Sequence, residues 1–320
     1  MAVCAGLFTL SSPAVFAQDC DRSCLQGILD QYLAAVVKHE PSAAPLAVGI
    51  RQTENAINVA PGSGTWKSVT ALGEVQRRYF DPVSSQAAYY GSVEEGAESA
   101  LVTVRVKVED RKITEAEWYI ARANDLGLRG ERQRGGPPAN LLNIDYLKAN
   151  GPPVRTVPQA ERSDRATLIR IVNSYFDALT SHDRTVALAH AGCSRAENGS
   201  PAPAGSFLPP LDPAQAPAPG SDPAARDCIA GLEGFNLSMV VARRIPLVDV
   251  EAQAVLSYAV FIRKPGSPTP RNAFSEWFFI DDAKIRTVYT AMSRRPARGT
   301  SKSFSRRTPA TGPLVATSVV

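Results

Sequence analysis

The residues with the most chemical potential are two glutamates, Glu54 and Glu197, each followed by an asparagine. A carboxylate enclosed by apolar side chains has its pKa raised and can give or take a proton near neutral pH. A Glu-Asn pair is equally suited to bonding backbone amides at a turn or helix end, and that structural use stays open. Both pairs lie in an internal repeat. Residues 28–56 align without a gap on residues 171–199 (171 − 28 = 143), and eight positions are identical: Ile28/Ile171, Tyr32/Tyr175, Ala35/Ala178, His39/His182, Ala44/Ala187, Gly49/Gly192, Glu54/Glu197 and Asn55/Asn198. A second echo places Glu109–Ile113 over Asp281–Ile285. Two copies point to two related domains rather than a solenoid.

Around the glutamates, Tyr32 and Tyr175 sit on apolar helix faces, where each lines a pocket or the core. Trp66, Trp118 and Trp277 are candidates to wall a ligand site, with a core role as the alternative. Arg243, grouped with Arg244 and Asp249, could grip an anionic substrate or form a structural pair with an acid. His39 and His182 follow the first helix of each copy, where the helix dipole favours a cation, and read as structural. No nucleophile-elbow, zinc-protease or phosphate-loop motif occurs. The spacing of His39, His182, His190 and the cysteines holds no zinc pattern, so neither a metal nor another cofactor is expected.

The elements that must position these groups repeat as well. Leu25, Ile28, Leu29, Tyr32, Leu33 and Val36 recur at helical spacing, as do Leu168, Ile171, Val172, Tyr175, Phe176 and Leu179. Strands follow at 100–108, 113–120, 255–263, 274–280 and 284–292, where β-branched and aromatic residues concentrate. Helix first and sheet after is an α+β arrangement. Residues 123–165 carry Gly-Pro breaks and read as a linker. Residues 200–226 hold eight prolines, as a mobile loop or a lid.

Residues 1–17 are apolar, uncharged and end in Val15-Phe16-Ala17, which fits a secretory signal peptide. Cys20, Cys24, Cys193 and Cys228 then remain, an even count that suits disulfides in an exported chain. Three connectivities are open. Cys193–Cys228 and Cys20–Cys24 are favoured, the second less so because residues four apart on a regular helix are awkwardly placed for a bridge. The chain has 35 Lys and Arg against 31 Asp and Glu. Six of those bases, Arg294, Arg295, Arg298, Lys302, Arg306 and Arg307, lie in an acid-free end, so the remainder is slightly acidic. The charge therefore argues for a solvated disordered tail and against nucleic acid. No apolar run is long enough to span a bilayer.

Each copy resembles the NTF2-like, SnoaL-like cone fold: an N-terminal helix, a His-acid turn (His39-Glu40, His182-Asp183) and a curved sheet. Cys20–Leu25, Thr53–Asn55 and Arg243–Asp249 look like stretches of a group of secreted fungal and bacterial proteins. The resemblance implies two tandem cone folds, each a helix packed on a curved antiparallel sheet around a pocket. The expected layout is a signal peptide at 1–17, domains at 18–122 and 166–293, the linker 123–165, the insertion 200–226 and the tail 294–320. The expected location is secreted or periplasmic. Two functions stay open. One is cofactor-independent isomerisation, dehydration or cyclisation of a small apolar or polyketide-like molecule, with Glu54 or Glu197 moving the proton. The other is non-catalytic binding or association, as a homodimer or an intramolecular domain pair.

Overall fold

The computed structural model describes residues 20–123, 142–201, 227–266 and 271–292. The expected leader, the centre of the Pro-rich insertion and the basic tail lie outside them. The first unit opens with α1 (Arg22–Val37), whose N-cap Asp21 accepts the Cys24 amide. There follow β1 (Leu46–Glu54), β2 (Ile57–Asn58), α2 (Thr65–Ser68), β3 (Ala71–Asp81), β4 (Gln86–Glu95), β5 (Glu98–Glu109) and β6 (Lys112–Arg122). A short α3 (Ile144–Asn150) leads to the second unit. It consists of α4 (Arg165–Ser181), β7 (Ala189–Glu197), β8 (Ser200–Pro201), β9 (Met239–Asp249), β10 (Ala254–Ile262), β11 (Arg271–Asp281) and β12 (Lys284–Ala291).

The two sheets have one topology, β2-β1-β6-β5-β4-β3 and β8-β7-β12-β11-β10-β9. The protein is therefore two tandem NTF2-like cone folds of α+β class. The expectation of wholly antiparallel sheets needs correction: β1 runs parallel to β6 and β7 parallel to β12, so each sheet is mixed. The two strands of each parallel pair are not joined by a hairpin: β2–β5 lie between β1 and β6 in the chain, and β8–β11 between β7 and β12. Register shifts in β3, β9 and β12 mark bulges, which bend a strand. At the β3 bend Gly91 is required, because a Cβ there would stand 1.9 Å from the Val75 carbonyl oxygen.

Much of the repeat is backbone necessity. His39 and His182, Gly49 and Gly192, and Asn55 and Asn198 all adopt positive φ. Asn55 bonds both the amide and the carbonyl of Ile120 through its side chain, and Asn198 does the same to Met292. The Asp110-Arg111 and Asp282-Ala283 hairpin turns are left-handed as well.

Each sheet has two buried faces. One packs on its own helix: α1 in the first cone, α4 in the second. The opposite faces pack on each other through Val75, Tyr79, Tyr90, Tyr119, Leu247, Tyr258, Trp277 and Phe279 among others. Tyr119 stacks on Tyr258 with ring centroids 4.9 Å apart. At the rim of this junction, two ion pairs cross with pseudo-twofold symmetry. Arg22 at the start of α1 makes a fork to Asp249 at the end of β9 (2.9 and 3.0 Å), and Arg165 at the start of α4 reaches Asp81 at the end of β3 (2.7 and 2.6 Å). Phe80 donates its amide to Asp249, and Val248 donates its own to Asp81. Asp249 thus serves the domain junction rather than a cluster with Arg243.

Both favoured disulfides are present, Cys20–Cys24 and Cys193–Cys228. The first is feasible because Cys20 precedes the N-cap and lies off the helix. The second closes a loop of 35 residues and anchors the returning chain to β7. Loop entropy assigns it a stabilisation of about 4 kcal/mol. Among the described residues no helix is long and apolar enough to cross a membrane.

Candidate functional site

The helix-facing side of the second sheet presents side chains of alternate residues. In β11 these are Phe274, Glu276 and Phe278, and in β7 they are Cys193, Arg195 and Glu197. Glu276, Arg195 and Glu197 therefore enter an otherwise apolar interior under α4. All three side chains are fully buried. Arg195 Nε donates to Glu197 Oε1 at 3.0 Å, and its Nη1 donates to Glu276 Oε1 at 2.6 Å and to the Tyr175 hydroxyl at 2.8 Å. Thr290 Oγ1, on β12 beside Glu276, lies at 3.5 Å from Glu276 Oε1.

The second oxygen of each carboxylate, Glu197 Oε2 and Glu276 Oε2, is buried with no hydrogen-bond partner. One guanidinium bonds both carboxyl groups, and Arg263 acts on Glu197 from further away. Burial raises the pKa of both glutamates, against the opposing pull of the Arg195 charge and hydrogen bonds. Burial likewise pushes the Tyr175 hydroxyl far above its usual value, so it stays neutral. The Arg195 guanidinium is held charged by its acidic neighbours in spite of burial. Both shifts run in the same direction, toward the protonated carboxyl. Such a pair can act as general acid and general base at one place.

The same place in the first cone has different chemistry. Gln52 replaces Arg195 and Trp118 replaces Thr290, by equivalent pairing of β1 with β6 and of β7 with β12. Trp66 Nε1 donates to Gln52 Oε1 at 2.8 Å, Tyr32 donates to the same oxygen at 3.1 Å, and Trp118 Nε1 donates to the Tyr32 hydroxyl at 2.8 Å. These aromatic groups fill the interior and converge on Gln52 Oε1, while Gln52 Nε2 is buried without a hydrogen-bond partner. Glu54 turns to backbone and surface: it accepts the Thr65 amide at 3.0 Å and faces Arg122 at 3.5 Å. Gly64 makes room for it, since a Cβ there would stand 2.3 Å from Glu54 Oε2.

The structure brings Glu197 and Tyr175 together and leaves the other candidates elsewhere. Trp66, Trp118 and Tyr32 form the first core, and Trp277 lies between the sheets against Tyr79 at 4.5 Å. Arg243 covers the end of α4, with its guanidinium 5.5 Å from the Phe176 ring and bonded to Asp177, Thr180 and the Phe176 carbonyl. Arg195 and Glu276 escaped the sequence reading. For Glu276 the one local signal is a lone charge in the apolar run Phe274-Ser-Glu-Trp-Phe278; Arg195, in the mixed strand Ala189–Glu197, has none.

Residues 161–292, which span the second cone, match a family described as a domain of unknown function (DUF8021). No curated protein matches the chain. Three similar solved structures carry cone or cystatin-like folds. A putative polyketide cyclase from Xanthomonas campestris pv. campestris is 14% identical, with 40% of this chain and 91% of that chain covered and a TM-score of 0.29. A putative ketosteroid isomerase from Kribbella flavida is 15% identical, with 43% and 93% covered and a TM-score of 0.27. A protein of unknown function with a cystatin-like fold from Methylobium petroleophilum is 12% identical, with 49% and 99% covered and a TM-score of 0.28. The fold assignment rests on the strand order and helix placement of the chain itself, and the second cone is the part similar to the domain of unknown function.

Proposed function

We propose that this is an exported protein in which the second cone performs proton transfer on a small apolar molecule, by isomerisation, dehydration or cyclisation. Its domains divide as the repeat does, at 18–122 and 166–293. Glu197 and Glu276 are the acid and base, Arg195 is the positioning residue that also offers positive charge to a developing oxyanion, and Tyr175 orients Arg195. The observation that carries this reading is the pair of fully buried carboxyls, each with an unbonded oxygen, sharing one guanidinium. Export is supported by two disulfides and by the apolar leader sequence. The aromatic-filled interior of the first cone, which among the described residues holds no buried carboxyl pair, favours a second role for that unit. It acts as an association module that covers the back of the active sheet.

The test uses a panel of apolar β,γ-unsaturated ketones in heavy water, with deuterium incorporation at the α-carbon followed by NMR. The intact protein is expected to accelerate exchange on a member of the panel. Glu197→Gln and Glu276→Gln are each expected to lower the rate by about 100-fold or more, the usual contribution of a positioned acid or base. Glu54→Gln is expected to leave it unchanged. Equal rates in the intact protein and the Glu197 and Glu276 variants, or no acceleration on any member, contradict the reading.

A further inference from the structure

A cleft of about 520 Å³ opens where the two cones meet. Residues 76–79 of β3 form one wall, with Arg22 at the start of α1. Residues 153–156 and Ala252, in the turn between β9 and β10, complete it. Arg22, Arg77, Arg78 and Arg155 line the cleft, and no Asp or Glu does. Arg22 is neutralised by Asp249, and Arg78 by Asp30. Arg77 and Arg155 are different. Among the described residues no carboxylate lies within ion-pair distance of either.

Backbone carbonyls hold both guanidinium groups instead. Arg77 Nε donates to the Pro152 oxygen at 2.5 Å and its Nη1 to the Gln76 oxygen at 2.9 Å. Arg155 Nε donates to the Ala252 oxygen at 3.0 Å and its Nη2 to the Ile280 oxygen at 2.7 Å. Arg77 Nη2 and Arg155 Nη1 keep no protein acceptor among the described residues. Tyr79 lines the same cleft; it is only 3% exposed and its hydroxyl has no hydrogen-bond partner. Both guanidinium charges act on that hydroxyl, with Asp249 opposing them from its place in the Arg22 pair. A buried hydroxyl left unbonded costs about 1–3 kcal/mol. Asp281 acts on Arg155 only from beyond ion-pair distance, so the two cations have no bonded anion among the described residues. One oxyanion would resolve all three: its oxygens can accept from both arginines and from the phenol, in the fork geometry that suits guanidinium.

We propose that this interdomain cleft binds the oxyanion group of a small molecule, a phosphate, sulfate or carboxylate, between Arg77, Arg155 and the Tyr79 hydroxyl. The volume suits a compact ligand. With Arg22 and Arg78 already paired, the free charge is enough for one anionic head and not for a polyanion. The cleft is distinct from the Glu197–Glu276 interior, and its test does not depend on proton transfer.

The experiment is calorimetric titration of the full chain with inorganic phosphate, sulfate and benzoate. At least one is expected to saturate a single site in the millimolar range, and which one does so identifies a tetrahedral or planar head group. Arg155→Gln is expected to weaken that binding tenfold or more. Tyr79→Phe removes only an unbonded hydroxyl, so it leaves the fold intact and is expected to weaken binding severalfold. Absence of saturation by all three anions, or undiminished affinity in either variant, overturns the proposal.

Discussion

Replacing Arg195 by leucine is expected to destabilise the second cone by about 3–5 kcal/mol at neutral pH, the usual cost of stripping one partner from a buried ion pair. The substitution leaves Glu197 and Glu276 fully buried without their shared cation. The loss depends on pH in a definite direction. Both carboxyls already have raised pKa values through burial, and removing Arg195 takes away what opposes that rise. A raised folded-state pKa contributes stability that is complete below the unfolded value, about 4.3 for Glu, and is lost as pH rises through the folded value. Arg195→Leu should therefore be nearly tolerated around pH 4 and severely damaging at neutral pH. Adding Glu197→Gln and Glu276→Gln to Arg195→Leu should recover much of the neutral-pH loss. Urea unfolding across this pH range gives the answer. A penalty that is the same at pH 4 and at neutral pH would mean that Arg195 matters only as packing.

Asp249→Ala is the second substitution with a large expected effect. Asp249 is fully buried and accepts four bonds: two from Arg22, one from the Phe80 amide and one from the Ala252 amide. Alanine leaves two amides unsatisfied and Arg22 with only its longer ion-pair contact to Glu251 at 3.6 Å, at about 3–5 kcal/mol. Arg22 and Phe80 belong to the first cone and Asp249 to the second, so the damage falls on the coupling between units. Unfolding followed by probes in each cone should separate into two transitions. Asp81→Ala, the symmetric change, should act alike, since Asp81 receives Arg165 and the Val248 amide across the same junction. One transition with an unchanged midpoint in both variants would show that the aromatic contact between the sheets suffices by itself.

The duplicated helix, both disulfides and the later strands of each copy were legible in the sequence because their signals are local. The helix faces repeat at helical spacing, and Cys193 and Cys228 bracket a proline-rich stretch. The strands β1, β3, β4, β7 and β9 were not legible. In β4 the run from Gln86 to Val93 is buried on both faces, one against α1 and one against the second sheet. Such burial erases the polar–apolar alternation that marks a half-exposed strand. Arg105 shows the same burial: although charged and on an alternating strand, it is buried between Glu115 and Glu117. The Cys20–Leu25 and Arg243–Asp249 stretches hold Arg22 and Asp249, the two ends of one pair across the junction. That link spans 227 residues and no local pattern reveals it. At the site, Glu197 was legible through the repeat. Arg195 and Glu276 were not, because they stand where the first cone has Gln52 and an apolar strand, so the repeat itself hid them.

The most direct measurement is an infrared or carbon-13 NMR titration of the glutamate carboxyls in the intact protein, assigned with Glu197→Gln and Glu276→Gln. A protonated carboxyl should persist well above the ordinary glutamate pKa of about 4.3 and disappear from the spectrum in either variant. If every glutamate in the intact protein is ionised above that value, the buried pair holds no proton to transfer, and the account of the second cone is contradicted.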